Sequence, residues 1–94
     1  MKVDVIGQIS QIGDLQVFGE NGFKKQEVII KTVEEYSQFY VIEFTQQKIE
    51  LLQDLEVGQN VKVTCGLNGR EYTNPDNGKY NVFMSLRAWE VTNI

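Results

Sequence analysis

Histidine is absent from this chain of 94 residues, and cysteine and proline occur once each. Without histidine, the chain lacks the commonest general base and the commonest metal ligand in proteins. Its one cysteine, Cys65, has no partner for an intramolecular disulfide and is too few for a thiolate zinc site. Because Cys65 lies in an apolar stretch, we expect a buried structural thiol there rather than a nucleophile.

Other signatures of catalysis and of membranes are also missing. The carboxylates show no glycosidase or metal-ligand spacing, and the glycines match neither a phosphate loop nor a dinucleotide fingerprint. No apolar run approaches the roughly 20 residues that span a bilayer. The start, MKVDVIGQ, has no apolar secretory core. We therefore expect a cytoplasmic protein that is not an enzyme and has no metal, no cofactor and no membrane partner.

Charge is distributed unevenly along the chain. The net charge is −4, yet residues 23–33 carry three lysines against one glutamate, whereas residues 34–58 carry six acids against one lysine. A basic strand beside aromatic residues in an acidic protein favours a groove for a polyanion. Solvated lysines on an outer strand face are the alternative. We expect the acidic surface of residues 34–58 to repel phosphate and to lie away from such a groove.

Alternating apolar residues predict a β-rich fold in one domain of residues 1–94. Strands are expected at 2–12, 23–33, 38–45, 60–72 and 79–92, with a loop at 13–22 and a turn at 73–78. Gly7, near the middle of the first strand, allows that strand to bend or bulge and to serve two sheets.

One segment, residues 46–55, changes period. Ile49, Leu52 and Leu55 recur at helical spacing, Thr45 is positioned to cap the helix, and Gly58 is expected to end the segment. The resulting order is β-β-β-α-β-β. That order predicts an all-β protein with one short helix, a five-stranded OB-fold barrel.

Five short motifs carry a family resemblance. They are Lys24-Lys25-Gln26-Glu27, Lys48-Ile49 with Leu51-Leu52, Gly58 followed by Val61 and Val63, Gly69-Arg70-Glu71-Tyr72, and Arg87-Ala88-Trp89. In this order they resemble a family of short bacterial and phage proteins that is catalogued as a domain of unknown function and regarded as similar to single-stranded DNA-binding proteins. The resemblance implies an OB-fold and a relation to those proteins. It supplies no established binding residues.

An OB-fold usually binds its ligand across strands two and three and the loops that flank them. Cations that neutralise phosphates and rings that stack on bases are the residues such a surface needs. The candidate nucleic-acid-binding residues are Phe18, Lys24, Lys25, Lys31, Phe39, Arg70, Tyr72 and Lys79. For Tyr40, Phe44 and Trp89, a core position is favoured over a place in the nucleic-acid-binding site.

The last predicted strand is apolar on both of its faces. Phe83, Trp89 and Val91 therefore predict an interface with a second copy, giving a homodimer or a higher oligomer. The alternative is that the first strand or the loop at 13–22 covers them.

Two functions remain open at this point. The first is binding of single-stranded DNA, with RNA not distinguished, in replication, recombination or repair and with a possible protein partner there. The second is a protein-interaction adaptor or inhibitor that has no intrinsic nucleic-acid binding and uses the surface from Glu43 to Glu56.

Overall fold

Six strands and one short helix make up the computed structural model, which describes residues 1–94. The elements are β1 (Lys2–Ile12), β2 (Gln16–Phe18), β3 (Phe23–Thr32), β4 (Phe39–Thr45), a 3₁₀ helix (Gln46–Leu52), β5 (Asn60–Thr73) and β6 (Tyr80–Asn93). Their order in the sheet is β1-β5-β6-β4-β3-β2, and β1 also pairs with β3. Five strands thus close into a barrel with the OB-fold connectivity, and the predicted fold class is confirmed. No helix is long and apolar enough to cross a membrane.

The first strand serves both sides of the barrel, as its central glycine predicts. β1 pairs with β5 from Lys2 to Gln8 and with β3 from Gly7 to Ile12, and its register shifts after Ile9. A Cβ atom at Gly7 would overlap the carbonyl oxygen of Lys31. Only glycine lets the two strands approach this closely at the bend.

The core is formed by the inward side chains of all five barrel strands together with Leu52 of the helix. Phe44 is its largest member and is fully buried. The other members are Val5, Ile9, Val28, Ile30, Ile42, Val61, Val63, Cys65 and Ala88. Period-2 alternation therefore places the barrel interior correctly.

The predicted helix is present but differs in type and length. It is a 3₁₀ helix that ends at Leu52 rather than at 55, and the side chain of Thr45 makes no capping hydrogen bond. Ile49, Leu52 and Leu55 all pack against the core. Their spacing of three residues matches the three residues per turn of a 3₁₀ helix better than the 3.6 of an α-helix. Gly58 lies in the following turn with φ of 95° and does not end the helix.

The predicted loop at 13–22 contains a strand that the sequence pattern missed. β2 pairs with the start of β3, Phe18 opposite Phe23. Gly19 and Gly22 both have φ near 70° and close the turn between them. β2 therefore extends the sheet beyond β3 and raises the strand count from the predicted five to six.

The distal part of the β5–β6 pair projects beyond the barrel. We call residues 68–84 the outer hairpin; all of them are exposed except Asn74, which is half-buried. The backbone N–H of Asn74 donates to the carbonyl of Lys79, its side chain accepts from the N–H of Asp76, and Gly78 has φ of 70°. The predicted turn is thus ordered by local hydrogen bonds.

Candidate nucleic-acid interface

One outward surface brings together side chains from five strands. In β3 and β4, Lys25 lies opposite Thr45 and Lys31 opposite Phe39, so the odd-numbered side chains of both strands point away from the core. Arg87 of β6 is in register with Glu43 of β4, which continues the surface onto β6. Cross-strand partners in a sheet point to the same side. We call this surface the outer face; its main members are Phe18, Lys25, Lys31, Phe39, Arg70, Tyr72 and Phe83.

Cation and ring alternate at the β3 side of this face. The ammonium of Lys25 lies 5.3 Å from the centre of the Phe18 ring, and that of Lys31 lies 6.0 Å from the Phe39 ring. Both rings are about half exposed or more, at 47% for Phe18 and 61% for Phe39. Lys25 and Lys31 are six residues apart on one strand, which corresponds to about 20 Å. The face therefore offers two stacking surfaces, each with its own positive charge.

Glu43 lies in the middle of this cationic surface. Its carboxylate is 3.4 Å from the Lys25 ammonium and 3.7 Å from Nε of Arg87, and it is directly opposite Glu27 in the sheet. The expectation that the acids of residues 34–58 lie away from the groove is therefore wrong for Glu43. Glu43 occupies an outward position of β4, so its side chain lies on the outer face although its segment of the sequence is acidic.

A cleft of about 400 Å³ separates β4 from the outer hairpin. β4 and β6 pair only at Ile42–Leu86 and Glu43–Arg87, and the cleft opens where these two strands diverge. Its lining includes Arg70, Phe83 and Arg87. The cleft connects the β3–β4 part of the outer face to the hairpin part.

Two rings lie on the hairpin part of the outer face. Tyr72 of β5 and Phe83 of β6 have ring centres 6.4 Å apart with a tilt of 50°. Tyr72 is 48% exposed and Phe83 is 56% exposed. Arg70 pairs directly with Phe83 across the strands. A guanidinium and two accessible rings therefore share one side of the hairpin.

Two of the predicted site residues lie elsewhere. Lys24 has the opposite parity to Lys25 and lines a shallow depression with Gln46 and Lys48 beside the 3₁₀ helix. Lys79 lies in the turn at the tip of the outer hairpin, where its N–H donates to the side chain of Asn77. The structure brings the other six predicted residues onto the outer face.

Three expectations about apolar residues need correction. Tyr40 points inward but lies at the end of the barrel, where it is 41% exposed, so it is not a core residue. Trp89 is 55% exposed and also lies outside the core. Val91 packs against the core instead of facing outward with Phe83 and Trp89. A register shift between Thr64 and Cys65 leaves Trp89 unpaired and reverses the parity that follows it.

Neither of the two segments that were expected as alternative covers, the first strand and the loop at 13–22, lies over Phe83. The residues of 13–22 form β2 at the edge of β3, and Lys2 of β1 contacts Trp89. Phe83 and Arg87 are also functional candidates that the sequence argument did not include in the site. Phe83, Ser85 and Arg87 are every second residue along β6, and this spacing is the sequence signal that could have placed them on one side of the sheet.

Cys65 is fully buried, as its apolar segment predicts. Burial raises the pKa of its thiol from 9.0 to about 11, and the nearby carboxylate of Asp4 adds to the rise. The thiol is therefore protonated at neutral pH and is a poor nucleophile. No three side chains among the aspartates, glutamates and the cysteine are placed to hold a metal ion together.

The fold is similar to that of a mitochondrial single-stranded DNA-binding protein from S. cerevisiae, Rim1. Two crystal forms of Rim1 superpose with TM-scores of 0.75 and 0.74, covering 100% of this chain and 94% and 95% of theirs. A selenomethionine-labelled form gives 0.70. Sequence identity is 15% in each case, so the likeness concerns the fold.

No curated protein matches the sequence. A family model does match, and it covers residues 4–92. This chain belongs to the family described as the domain of unknown function DUF3127.

Proposed function

We propose that this protein binds single-stranded DNA along its outer face and catalyses no reaction. The observation that carries the proposal is the pairing of Lys25 with Phe18 and of Lys31 with Phe39 on one surface of an OB-fold. Such pairs offer phosphate neutralisation and base stacking side by side, which is what sequence-tolerant binding of a single strand requires. The fold shared with Rim1, a single-stranded DNA-binding protein, supports the same function.

The proposed contacts divide into two classes. Lys25, Lys31 and Arg70 bind phosphates from the outer face, and Lys24 and Lys79 do so from its two margins. Phe18, Phe39 and Tyr72 stack on bases, and Phe83 joins them in the cleft. Each stack contributes about 1–3 kcal/mol. A few stacks therefore give useful affinity to a protein whose net charge is −4.

Fluorescence anisotropy of a labelled oligothymidine tests the function. We expect saturable binding at low salt that weakens as salt rises, because each phosphate contact releases counterions. A labelled oligouridine of the same length measures the preference between DNA and RNA. No binding to either strand at low salt would rule out the proposal.

We place the function in DNA replication, recombination or repair, in the cytoplasm and with a possible protein partner. A strand-annealing assay in the presence of the protein checks the coating of single strands on which each of these roles would depend. If the protein coats single strands, annealing of complementary oligonucleotides should slow in proportion to occupancy.

Self-association also remains a proposal, with a different set of apolar residues. Tyr80, Val82 and Met84 are exposed on the side of the outer hairpin opposite to Phe83, next to a groove lined by Tyr40 and Leu67. This groove is apolar and suits a second copy better than it suits phosphate. Sedimentation at micromolar concentration should show a dimer that Val82→Glu disrupts. A monomer at all concentrations would contradict this.

A protein-binding adaptor is the second candidate function, and the same apolar groove favours it. The adaptor would bind a protein in this groove, rather than on the expected surface from Glu43 to Glu56, and would not contact DNA. A pull-down after nuclease treatment distinguishes the two candidates: a specific partner that is lost with Val82→Glu and retained with Phe39→Ala supports the adaptor.

A further inference from the structure

Trp89 lies on the barrel surface between two lysines that are distant in sequence. In β6, Ala88 pairs with Cys65 and Glu90 with Thr64, so Trp89 occupies the unpaired position of a bulge. The Nζ atom of Lys2 is 4.9 Å from the centre of the indole ring, and that of Lys48 is 4.8 Å away. The indole is 55% exposed and two ammonium groups lie against it, so Trp89 is not a core residue.

The lysines beside Trp89 are free of carboxylates. The ion pairs of the chain involve Lys25, Lys62 and Arg87, and neither Lys2 nor Lys48 is among them. A cavity of about 410 Å³ opens beside Trp89; Lys2, Lys48 and Arg87 line it, and no aspartate or glutamate does. In a protein with 13 acidic and 9 basic residues, this is a locally cationic cavity. A cavity of this volume lies within the range of small-ligand sites, about 300–1,000 Å³.

This cavity is continuous with the outer face. It shares Asn68 and Arg87 with the cleft that holds Phe83, and it shares Thr45 and Lys48 with the depression that holds Lys24. A single strand of DNA that leaves the cleft past Arg87 therefore reaches Trp89 directly. The same continuity gives a role to Lys24, which faces away from the outer face.

We propose that Trp89, Lys2 and Lys48 form a second nucleotide subsite, in which a base stacks on the indole and the two lysines bind the adjacent phosphates. The inference rests on the proposed single-strand binding and extends its path around the helix end of the barrel. Base stacking on an aromatic ring is stronger than an exposed cation–π contact, so a base displaces a lysine from the ring favourably. The displaced ammonium remains within reach of the phosphate.

The cluster is better suited to a polyanion than to another copy of this chain. Two like clusters facing each other would bring four lysines together without a carboxylate between them. An acidic segment of another protein is the competing occupant, and it differs from a nucleotide because it has no base to stack.

Trp89 is the only tryptophan, so its fluorescence reports on this subsite alone. We would titrate the protein with labelled oligothymidine at low salt and follow anisotropy and tryptophan emission in parallel. The expected result is quenching of Trp89 with the same dissociation constant as the anisotropy signal. Trp89→Ala should weaken binding about 5- to 150-fold, the range for one lost stack.

Lysine variants test the phosphate contacts separately. Lys2→Gln and Lys48→Gln should each make the plot of log association constant against log salt concentration less steep, by about 0.7 in slope. Lys62→Gln is the matched control, because it removes the same charge from β5, where Lys62 faces Asp4, outside the cavity. Far-UV circular dichroism establishes whether each variant is folded. If Trp89→Ala does not fold, the variants of Lys2 and Lys48 still test the proposal.

The outcomes separate this inference from the function on which it rests. Anisotropy binding without quenching, with Lys2→Gln and Lys48→Gln equal to Lys62→Gln, would overturn the subsite and leave single-strand binding intact. Absence of any anisotropy change would overturn both. Competition by a polyglutamate peptide as strong as that by oligothymidine would assign the subsite to an acidic protein segment and overturn the nucleotide assignment.

Discussion

The inner and outer halves of the β5–β6 pair both contain apolar residues, but these residues lie in opposite environments. In the inner half, Val61, Val63 and Cys65 are at most 1% exposed, whereas in the outer half Phe83 is 56% and Met84 is 68% exposed. Apolar side chains occur along the paired strands in both halves. The inner half packs against the rest of the barrel, and the outer half extends past it. Apolar content thus stabilises the fold in one half and remains available for a ligand or a partner in the other.

The largest difference is expected when one core ring is removed from beneath the inner half: Phe44 of β4 belongs to the same buried cluster as Val61, Val63 and Cys65. Phe44 is fully buried, so Phe44→Ala should lower the free energy of unfolding by about 3–5 kcal/mol through lost burial and the remaining cavity. Urea unfolding followed by circular dichroism measures this. Phe83→Ala is the control on the outer hairpin and should change the same quantity by less than about 1 kcal/mol. Equal losses for the two variants would mean that the outer hairpin is covered in solution.

Alkaline pH should destabilise the inner half through Cys65. Because the folded pKa of about 11 lies above the ordinary value of 9.0, the protonated thiol favours the folded state below pH 9, and this stability is lost as pH rises toward 11. A shift of this size corresponds to about 2–3 kcal/mol. Unfolding free energies at pH 8 and pH 11 measure the loss.

Cys65→Ala provides the control for this titration, because it removes the thiol and leaves every other ionisable side chain in place. The pH-dependent loss should be smaller in Cys65→Ala than in the parent protein. Equal losses would show that the thiol is less buried than it is in the structure.

On the outer half, Phe83→Ala should affect binding rather than folding. We expect oligothymidine affinity to fall by about 1–3 kcal/mol, the contribution of one stacked base. Anisotropy titrations at fixed salt measure the change. Val82→Ala, which alters the opposite side of the same strand, is the matched control and should leave affinity within about twofold. If Val82→Ala weakened binding as much as Phe83→Ala, the bound DNA would not run along the outer face.

The smallest expected effect is a gain. Glu43 holds Lys25 and Arg87 by contacts of 3.4 and 3.7 Å, so Glu43→Gln should release both cations and remove a negative charge from the proposed path. Oligothymidine should bind about three- to tenfold tighter, in keeping with ion pairs near the protein surface, which are worth up to about 1 kcal/mol each. Glu56→Gln, which removes a carboxylate away from the outer face, is the control. An unchanged or weaker affinity for Glu43→Gln alone would exclude Glu43 from the path.

Sequence pattern predicted most of the fold because alternation is strong where one strand face is buried. The five barrel strands, the bend at Gly7 and the ordered turn before Lys79 follow from local signals. β2 was missed because three residues are too few to show a period. The helix type was missed because the spacing of Ile49, Leu52 and Leu55 was interpreted as α-helical.

Parity along the strands was sufficient to predict part of the site. Lys25, Lys31 and Phe39 follow from counting along β3 and β4. Lys24 and the cluster at Trp89 do not, because they depend on where the 3₁₀ helix packs and on a bulge that reverses parity between Trp89 and Val91. Contacts between residues as distant as Lys2 and Trp89 leave no periodic signal in a single sequence.

The central claim is that a single strand follows the outer face, and amide and indole chemical shifts of ¹⁵N-labelled protein with a short oligothymidine test it most directly. We expect saturable shifts along the outward positions of β3 and β4, on the Phe83 side of the outer hairpin and at the indole N–H of Trp89. Residues 33–37 and 53–58, outside the path, should not shift. Shifts confined to those segments, or none at low salt, would contradict the account.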